Sequence, residues 1–142
     1  MAKVIKFDAG KAVFGKEFAI VDTFDNVQLV NKGVRRILEA LEKYDTDQNN
    51  SQKPVYLYDY QDIIAPLVID EAGKLLGLSK EETKKLKGIS YSEVFNFYKS
   101  AAQDFVSISL PSMELLSGAL EALNTASDEE FAKQSPKDEE AK

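Results

Sequence analysis

The chain has neither cysteine nor histidine among its 142 residues. Without cysteine there are no disulfides, no thiolate nucleophiles and no cysteine-based zinc sites. Without histidine, the commonest general base and the commonest zinc ligand are also missing. The remaining reactive groups are carboxylates, lysine, tyrosine and the hydroxyls of serine and threonine. We therefore expect a protein that is not an enzyme and has no catalytic residues, no bound cofactor and no metal.

Long hydrophobic runs are missing as well. The N-terminus has no apolar segment of the length that a signal peptide needs. The longest apolar stretch, residues 63–69, lies between Asp62 and Asp70 and is far shorter than the roughly 18 residues of a membrane span. These absences predict a cytoplasmic protein that does not associate with a membrane.

Basic residues are in the minority, with 18 Lys and Arg against 24 Asp and Glu and a net charge of -6. This balance opposes binding to nucleic acid, because affinity for a phosphate backbone comes chiefly from Lys and Arg. Residues 80–87 are a local exception, with four lysines and two glutamates. They form either a solvated helix face or a docking patch for an acidic partner.

The composition, 44% hydrophobic and 30% charged, is typical of a globular protein, and the length is that of one domain. We predict a mainly α (α+β) fold in which a small N-terminal β-hairpin or meander packs on four to five helices. The helical domain is expected to span residues 1–126. Residues 127–142 carry six acids and three lysines and are predicted to be a disordered acidic tail.

Two β-rich runs, residues 4–7 and 17–21, predict the N-terminal strands, with residues 13–14 as a third candidate strand between them. An amphipathic helix is predicted from Thr23 or Asp25 to Tyr44, because apolar residues recur there at spacings of three and four. The polar run 45–54 that follows is predicted to be a mobile loop.

Residues 55–61 fit either an extended segment or the start of a helix. A helix capped near Asp62 is predicted to follow, because that places Pro66 in the first turn, where proline is tolerated. Gly77 has the features of a residue that ends a helix. The pattern of a serine followed three residues later by a glutamate predicts helix starts at Ser79 and Ser90. A last helix is predicted from Pro111 to about residue 126.

The distribution of aromatic residues points to a binding surface. Tyr56, Tyr58 and Tyr60 alternate, and the helix after Ser90 is crowded with aromatic side chains. Most of the rings in that helix are expected to lie in the core. Phe97 and the three alternating tyrosines are hard to bury together, so some aromatic surface should remain exposed and mark a partner site.

The order of these elements resembles the tail assembly chaperones of long-tailed phages and prophages of Gram-positive bacteria. The similarity is closest at the junction Leu-Leu-Gly-Leu-Ser-Lys-Glu-Glu, residues 75–82, followed by Ser-Tyr-Ser-Glu-Val-Phe, residues 90–95. The resemblance implies a protein that coats the helical tape measure protein, keeps it soluble and recruits tail tube subunits without remaining in the virion.

If the resemblance holds, a hydrophobic groove would receive the partner's helix. The candidate groove residues are Tyr56, Tyr58, Tyr60, Phe97 and Tyr98. Repeated sites on a long partner would favour self-association, so a homo-oligomer is expected. Two alternatives stay open, namely a structural connector or tail terminator of a phage particle, and a small protein-binding regulator.

Overall fold

A computed structural model of the protein describes residues 2–110 and confirms the mainly helical fold with a small N-terminal sheet. The predicted last helix and the predicted acidic tail lie outside the described residues. In chain order the elements are β1 Val4–Phe7, α1 Lys11–Phe14, β2 Phe18–Val21, α2 Phe24–Asn50, α3 Leu57–Leu75, α4 Lys80–Lys85, a 3-10 turn Leu86–Gly88, and α5 Tyr91–Val106.

The sheet is an antiparallel pair in which Val4 lies opposite Val21 and Phe7 lies opposite Phe18. The hairpin interpretation is therefore correct, whereas the candidate third strand forms the single turn α1. That turn ends at Gly15, which adopts the left-handed conformation with φ 72°. Since a two-stranded sheet is not stable alone, it packs against the helices, with Phe7 buried.

Helix α2 begins where predicted, with the Thr23 hydroxyl accepting a hydrogen bond from the backbone N–H of Asn26. It continues to Asn50, so the predicted loop at 45–54 is wrong over its first six residues. Lys43 pairs with Asp47 one turn later at 2.8 Å, and Asp45 accepts a hydrogen bond from Tyr60 of α3 at 2.6 Å. Contacts with α3 thus support a polar segment that lacks an apolar stripe of its own.

Helix α3 begins at Leu57 rather than near Asp62, which resolves residues 57–61 as helical and places Pro66 inside the helix. An interior proline costs about 3 kcal/mol. Pro66 is on the exposed side of α3, while Ile64, Val68 and Ile69 beside it are buried. Packing of these buried side chains therefore maintains the helix. The preference of proline for the first turn of a helix does not take such packing into account.

The end of α3 is as predicted. Gly77 has φ 74°, its N–H donates to the carbonyl of Lys74, and the N–H of Leu78 donates to the carbonyl of Gly73. Ser79 and Glu82 then form the predicted reciprocal cap of α4. Helix α5 also starts as predicted after Ser90, but the Ser90 hydroxyl bonds to that of Ser92 and caps no backbone N–H.

The core lies between α2, α3 and α5. Its fully buried side chains include Ile37 of α2, Ile64 of α3 and Val94 of α5. Gly33 allows a close approach here, because a Cβ on this residue would lie 2.1 Å from the Tyr98 hydroxyl oxygen. Within residues 2–110, no helix combines the length and apolar character needed to cross a membrane.

Candidate protein-binding site

The five predicted groove residues do not share one surface. Tyr60, Phe97 and Tyr98 are 8%, 4% and 1% exposed, so they belong to the core. Tyr56 and Tyr58 are 41% and 65% exposed. The prediction of a single groove lined by all five is therefore wrong, and an exposed pair at the start of α3 remains.

Phe97 is buried by a contact between distant parts of the chain. Its ring centroid lies 5.1 Å from that of Phe7 in β1. Tyr98 is buried at the close approach of α5 to Gly33 and Glu71. A helical projection of α5 separates Phe97 from Phe95 but cannot show that the β1–β2 sheet covers a second face of the helix, and this is why the prediction failed.

Tyr60 is buried against the end of α2. Its ring packs edge-on against Tyr44 with centroids 5.6 Å apart, and its hydroxyl donates to the Asp45 carboxylate at 2.6 Å. The pKa of Tyr60 is raised well above its ordinary value, mainly by burial and to a smaller extent by the hydrogen bond to Asp45. The hydroxyl therefore keeps its proton and acts as a hydrogen-bond donor that joins α3 to α2.

Tyr56 and Tyr58 form the exposed aromatic surface. Their rings are stacked, with centroids 5.2 Å apart and an interplanar angle of 22°. Tyr56 immediately precedes α3, and Tyr58 is the second residue of the helix. The change from extended backbone to helix at this point brings the two rings together, whereas a continuous strand or helix would place them differently.

Tyr44 supports the exposed pair. Its hydroxyl oxygen accepts a hydrogen bond from the backbone N–H of Tyr56 at 3.1 Å, and its hydroxyl donates to the Asp59 carboxylate at 2.6 Å. Burial, together with the hydrogen bond to Asp59, raises the pKa of Tyr44. We call Tyr44, Tyr56, Tyr58 and Tyr60 the tyrosine cluster. Two of its members hold α2 and α3 together, and the other two are presented to solvent on that support.

A second exposed apolar region lies near the start of α2 and was not predicted. Phe24 is 77% exposed, and the cross-strand pair Val4 and Val21 is also exposed. Because α2 rises about 1.5 Å per residue, Phe24 and Tyr44 are roughly 30 Å apart along the helix. Phe24 continues the three-residue spacing of the stripe one step before Val27, a signal in the sequence that could have drawn attention to it.

Carboxylates in the described part of the chain form no cluster of the kind that holds a metal ion. Glu71, the buried acid of the core, is bound by Arg36 at 2.7 Å and by Lys74 at 3.2 Å. Comparisons of the chain with protein-family models, curated proteins and solved structures find no match. The exposed pair Tyr56 and Tyr58, together with its hydrogen-bonded support, is the candidate protein-binding site.

Proposed function

We propose that this protein is a non-enzymatic binding protein that uses the stacked rings of Tyr56 and Tyr58 to hold an apolar stripe of a partner protein. The observation that carries the proposal is the exposure of both rings beside a support that is held by hydrogen bonds. Tyrosine suits this role because its rigid ring provides contact area at a small cost in conformational entropy. Exposed aromatic groups of this kind commonly mark partner sites.

We further propose that the partner is helical, and that the protein is a tail assembly chaperone acting in the host cytoplasm. The resemblance described above supports this reading and suggests the tape measure protein and the tail tube protein as partners. An amphipathic helix presents its apolar residues as a stripe. Two adjoining rings can cover only a short part of such a stripe. A long helix would therefore need several copies of the protein along it.

The available energy also favours several copies. An aromatic side chain buries roughly 150–250 Å², so the uncovered parts of Tyr56 and Tyr58 together amount to about 160–270 Å². At about 25 cal/mol per Å² this area supplies roughly 4–7 kcal/mol. Association costs on the order of 4–15 kcal/mol. One pair alone therefore binds weakly, whereas neighbouring copies that also contact each other gain affinity through avidity.

The experiment is co-expression with a candidate tape measure protein, followed by measurement of how much of that partner is soluble. The wild-type chain should increase the soluble fraction, and the double variant Tyr56→Ser/Tyr58→Ser should not. Leu38→Ser is the matched control, because Leu38 is also a partly exposed apolar side chain but lies in the middle of α2. Phe24→Ser tests separately whether the second exposed region contributes.

Circular dichroism and urea unfolding of each variant would establish that the fold is intact. The proposal fails if the wild-type chain does not improve solubility, or if the folded double variant is as effective as wild type. Recovery of the protein in purified virions would also contradict it and would indicate a structural component of the particle.

A further inference from the structure

A pocket of about 480 Å³ lies between α3 and α4, away from the tyrosine cluster. Its apolar lining comes from Pro66, Ile69 and Leu78. Its basic lining comes from four lysines, which we call the lysine rim: Lys74, Lys80, Lys84 and Lys87. A cavity of this size with an apolar surface and a few charged groups has the general form of a binding site.

The carboxylate that lines the pocket is already paired with another cation. Asp70, the acidic residue of the lining, is paired with Arg36, and this hydrogen bond holds the pKa of Asp70 below its ordinary value. Lys74 is shared between Glu71 and Asp70. By contrast, Lys80, Lys84 and Lys87 have no carboxylate within 4.0 Å among residues 2–110. The pocket therefore carries local positive charge on a chain whose net charge is -6.

The walls of the pocket are preorganised. A Cβ added to Gly73 would lie 2.3 Å from the Thr83 hydroxyl oxygen, so α3 and α4 are in close contact. The backbone bonds at Gly77 and the reciprocal cap between Ser79 and Glu82 define the turn between the two helices. A site whose walls are already ordered loses little entropy when it binds.

The spacing of the lysines favours a ligand that carries several anionic groups. Lys80, Lys84 and Lys87 recur at intervals of four and three, so they share one face of α4 and the turn after it. Along the axis they span roughly 10 Å. Acidic side chains on a polypeptide can match several of these positions, whereas the single carboxylate of a fatty acid can reach one or two.

Two observations disfavour nucleic acid as the ligand. The net charge of -6 opposes binding to a long polyanion, because affinity for a phosphate backbone comes chiefly from an excess of Lys and Arg. The apolar lining at Ile69 and Leu78 also offers no specific contact to a phosphate backbone. A short acidic segment that carries an apolar side chain satisfies both parts of the pocket.

We propose that the lysine-rimmed pocket is a docking site for an acidic segment of a partner protein, with one apolar side chain entering between α3 and α4 and flanking carboxylates on the lysine rim. The charge complementarity and the apolar lining support this occupant. The site is independent of the proposed function of Tyr56 and Tyr58, and either proposal can fail without the other.

The test uses the full-length chain and a short fluorescent peptide with a central leucine flanked by glutamates. Binding is measured by fluorescence anisotropy, and the site is mapped by backbone amide NMR shifts. We expect the shifts to concentrate at residues 78–87. Replacing the peptide's glutamates with glutamine, or its leucine with serine, should weaken binding. Added salt should weaken the binding of the glutamate peptide but not that of the glutamine peptide.

Charge substitutions test the lysine rim directly. Lys84→Glu/Lys87→Glu should weaken peptide binding about tenfold or more, because several exposed ion pairs are lost and replaced by repulsion. Lys84→Gln/Lys87→Gln, which disturbs α4 less, should have an intermediate effect. Lys32→Glu/Lys99→Glu is the matched control, because it makes the same change of charge at two exposed lysines that do not line the pocket, and it should leave binding within about twofold.

Three results would overturn the proposal. The first is the absence of measurable binding by the wild-type chain. The second is evidence that binding does not involve the lysine rim. This would be an equal loss of binding in the control variant and the Lys84/Lys87 variants, or NMR shifts that map to Tyr56 and Tyr58. The third is tighter binding of dodecanoate or of a single-stranded oligonucleotide in the same pocket, which would assign it to a ligand other than a polypeptide.

Discussion

Tyrosines lie close to carboxylates in two regions of the molecule, and the two regions are built in opposite ways. At the crossing of α2, α3 and α5, Tyr98 is buried beside Glu71, and its hydroxyl has no hydrogen-bond partner within the described residues. In the tyrosine cluster, Tyr44 and Tyr60 donate hydrogen bonds to acids on the neighbouring helix, while Tyr56 and Tyr58 are exposed.

The difference is between a tyrosine that is buried by tight packing and tyrosines whose rings stay exposed. At the crossing, shape dominates: Gly33 leaves room for the Tyr98 hydroxyl group, and this hydroxyl is buried without a hydrogen-bond partner among residues 2–110. In the tyrosine cluster, directional hydrogen bonds position rings that little else covers. An aromatic residue near an acid is therefore not enough to predict a binding site, because the neighbouring elements decide whether its ring is available.

The largest expected effect is at the crossing. Gly33→Ala would place a Cβ 2.1 Å from the Tyr98 hydroxyl oxygen and 2.6 Å from a Glu71 carboxylate oxygen. We expect urea unfolding to show a loss of about 3 kcal/mol, at the upper end for overpacking. Tyr98→Phe removes the unpaired hydroxyl and should recover part of this loss in the double variant.

Gly88→Ala is the control for that comparison, since nothing lies within 4 Å of a Cβ there among the described residues. It should change the free energy of unfolding by no more than about 0.5 kcal/mol, as surface substitutions usually do. Equal effects at Gly33 and Gly88 would show that the crossing is not as tightly packed as the distances indicate.

Arg36→Ala tests the ion pairs at the crossing. Arg36 binds Asp70 and the buried Glu71 at once, so its removal leaves Glu71 with Lys74 alone. We expect a loss of about 2 kcal/mol, since hydrogen bonds to charged groups contribute roughly 1.5–3 kcal/mol. Arg35→Ala, an exposed neighbour on the same helix, should change stability little. Similar losses in the two variants would argue against a specific role for Arg36.

Tyr60→Phe tests the hydrogen bonds of the tyrosine cluster. The ring and its contact with Tyr44 are kept, but the bond to Asp45 is lost. Urea unfolding should show a loss of about 1 kcal/mol, the usual contribution of one hydrogen bond. Tyr58→Phe should leave stability unchanged, because the Tyr58 hydroxyl has no hydrogen bond within residues 2–110. A loss at Tyr58 equal to that at Tyr60 would contradict the division of the cluster into supporting and exposed members.

The smallest expected effect is a dependence of stability on pH. The hydrogen bond from Arg36 lowers the pKa of Asp70 in the folded state. This stabilisation is therefore present above the unfolded pKa of about 3.9 and is lost as pH falls through the lower folded value. Because Asp70 is half exposed, we expect the contribution to stay below about 1 kcal/mol.

Urea unfolding between pH 6 and pH 2 would detect this contribution. The decline of stability below about pH 4 should be shallower for Asp70→Asn than for wild type. Asp62→Asn provides the control, because Asp62 is exposed and makes no ion pair within residues 2–110. If the free energy of unfolding of Asp70→Asn fell with pH as steeply as that of wild type, Asp70 would not contribute to the acid sensitivity.

Some of the molecule could be predicted from local sequence because the cause is also local. The reciprocal cap of Ser79 and Glu82 and the left-handed Gly77 each involve residues within a few positions of one another. The start of α2 at Thr23 and the predominance of helix follow in the same way from short-range spacing. For the candidate site, the aromatic residues could be identified as candidates, but their exposure could not.

The remaining features depend on contacts between residues far apart in the chain. No short stretch of sequence predicts them. They are the sheet that covers Phe97, the α3 residues that support the polar end of α2, and the packing that keeps Pro66 inside a helix. By itself, the sequence determined the absence of cysteine and histidine chemistry, the caps of α2 and α4 and the predominance of helix. Tertiary structure alone decided that Tyr56 and Tyr58 are exposed while Tyr60, Phe97 and Tyr98 are buried, because exposure depends on which distant surface packs against each ring.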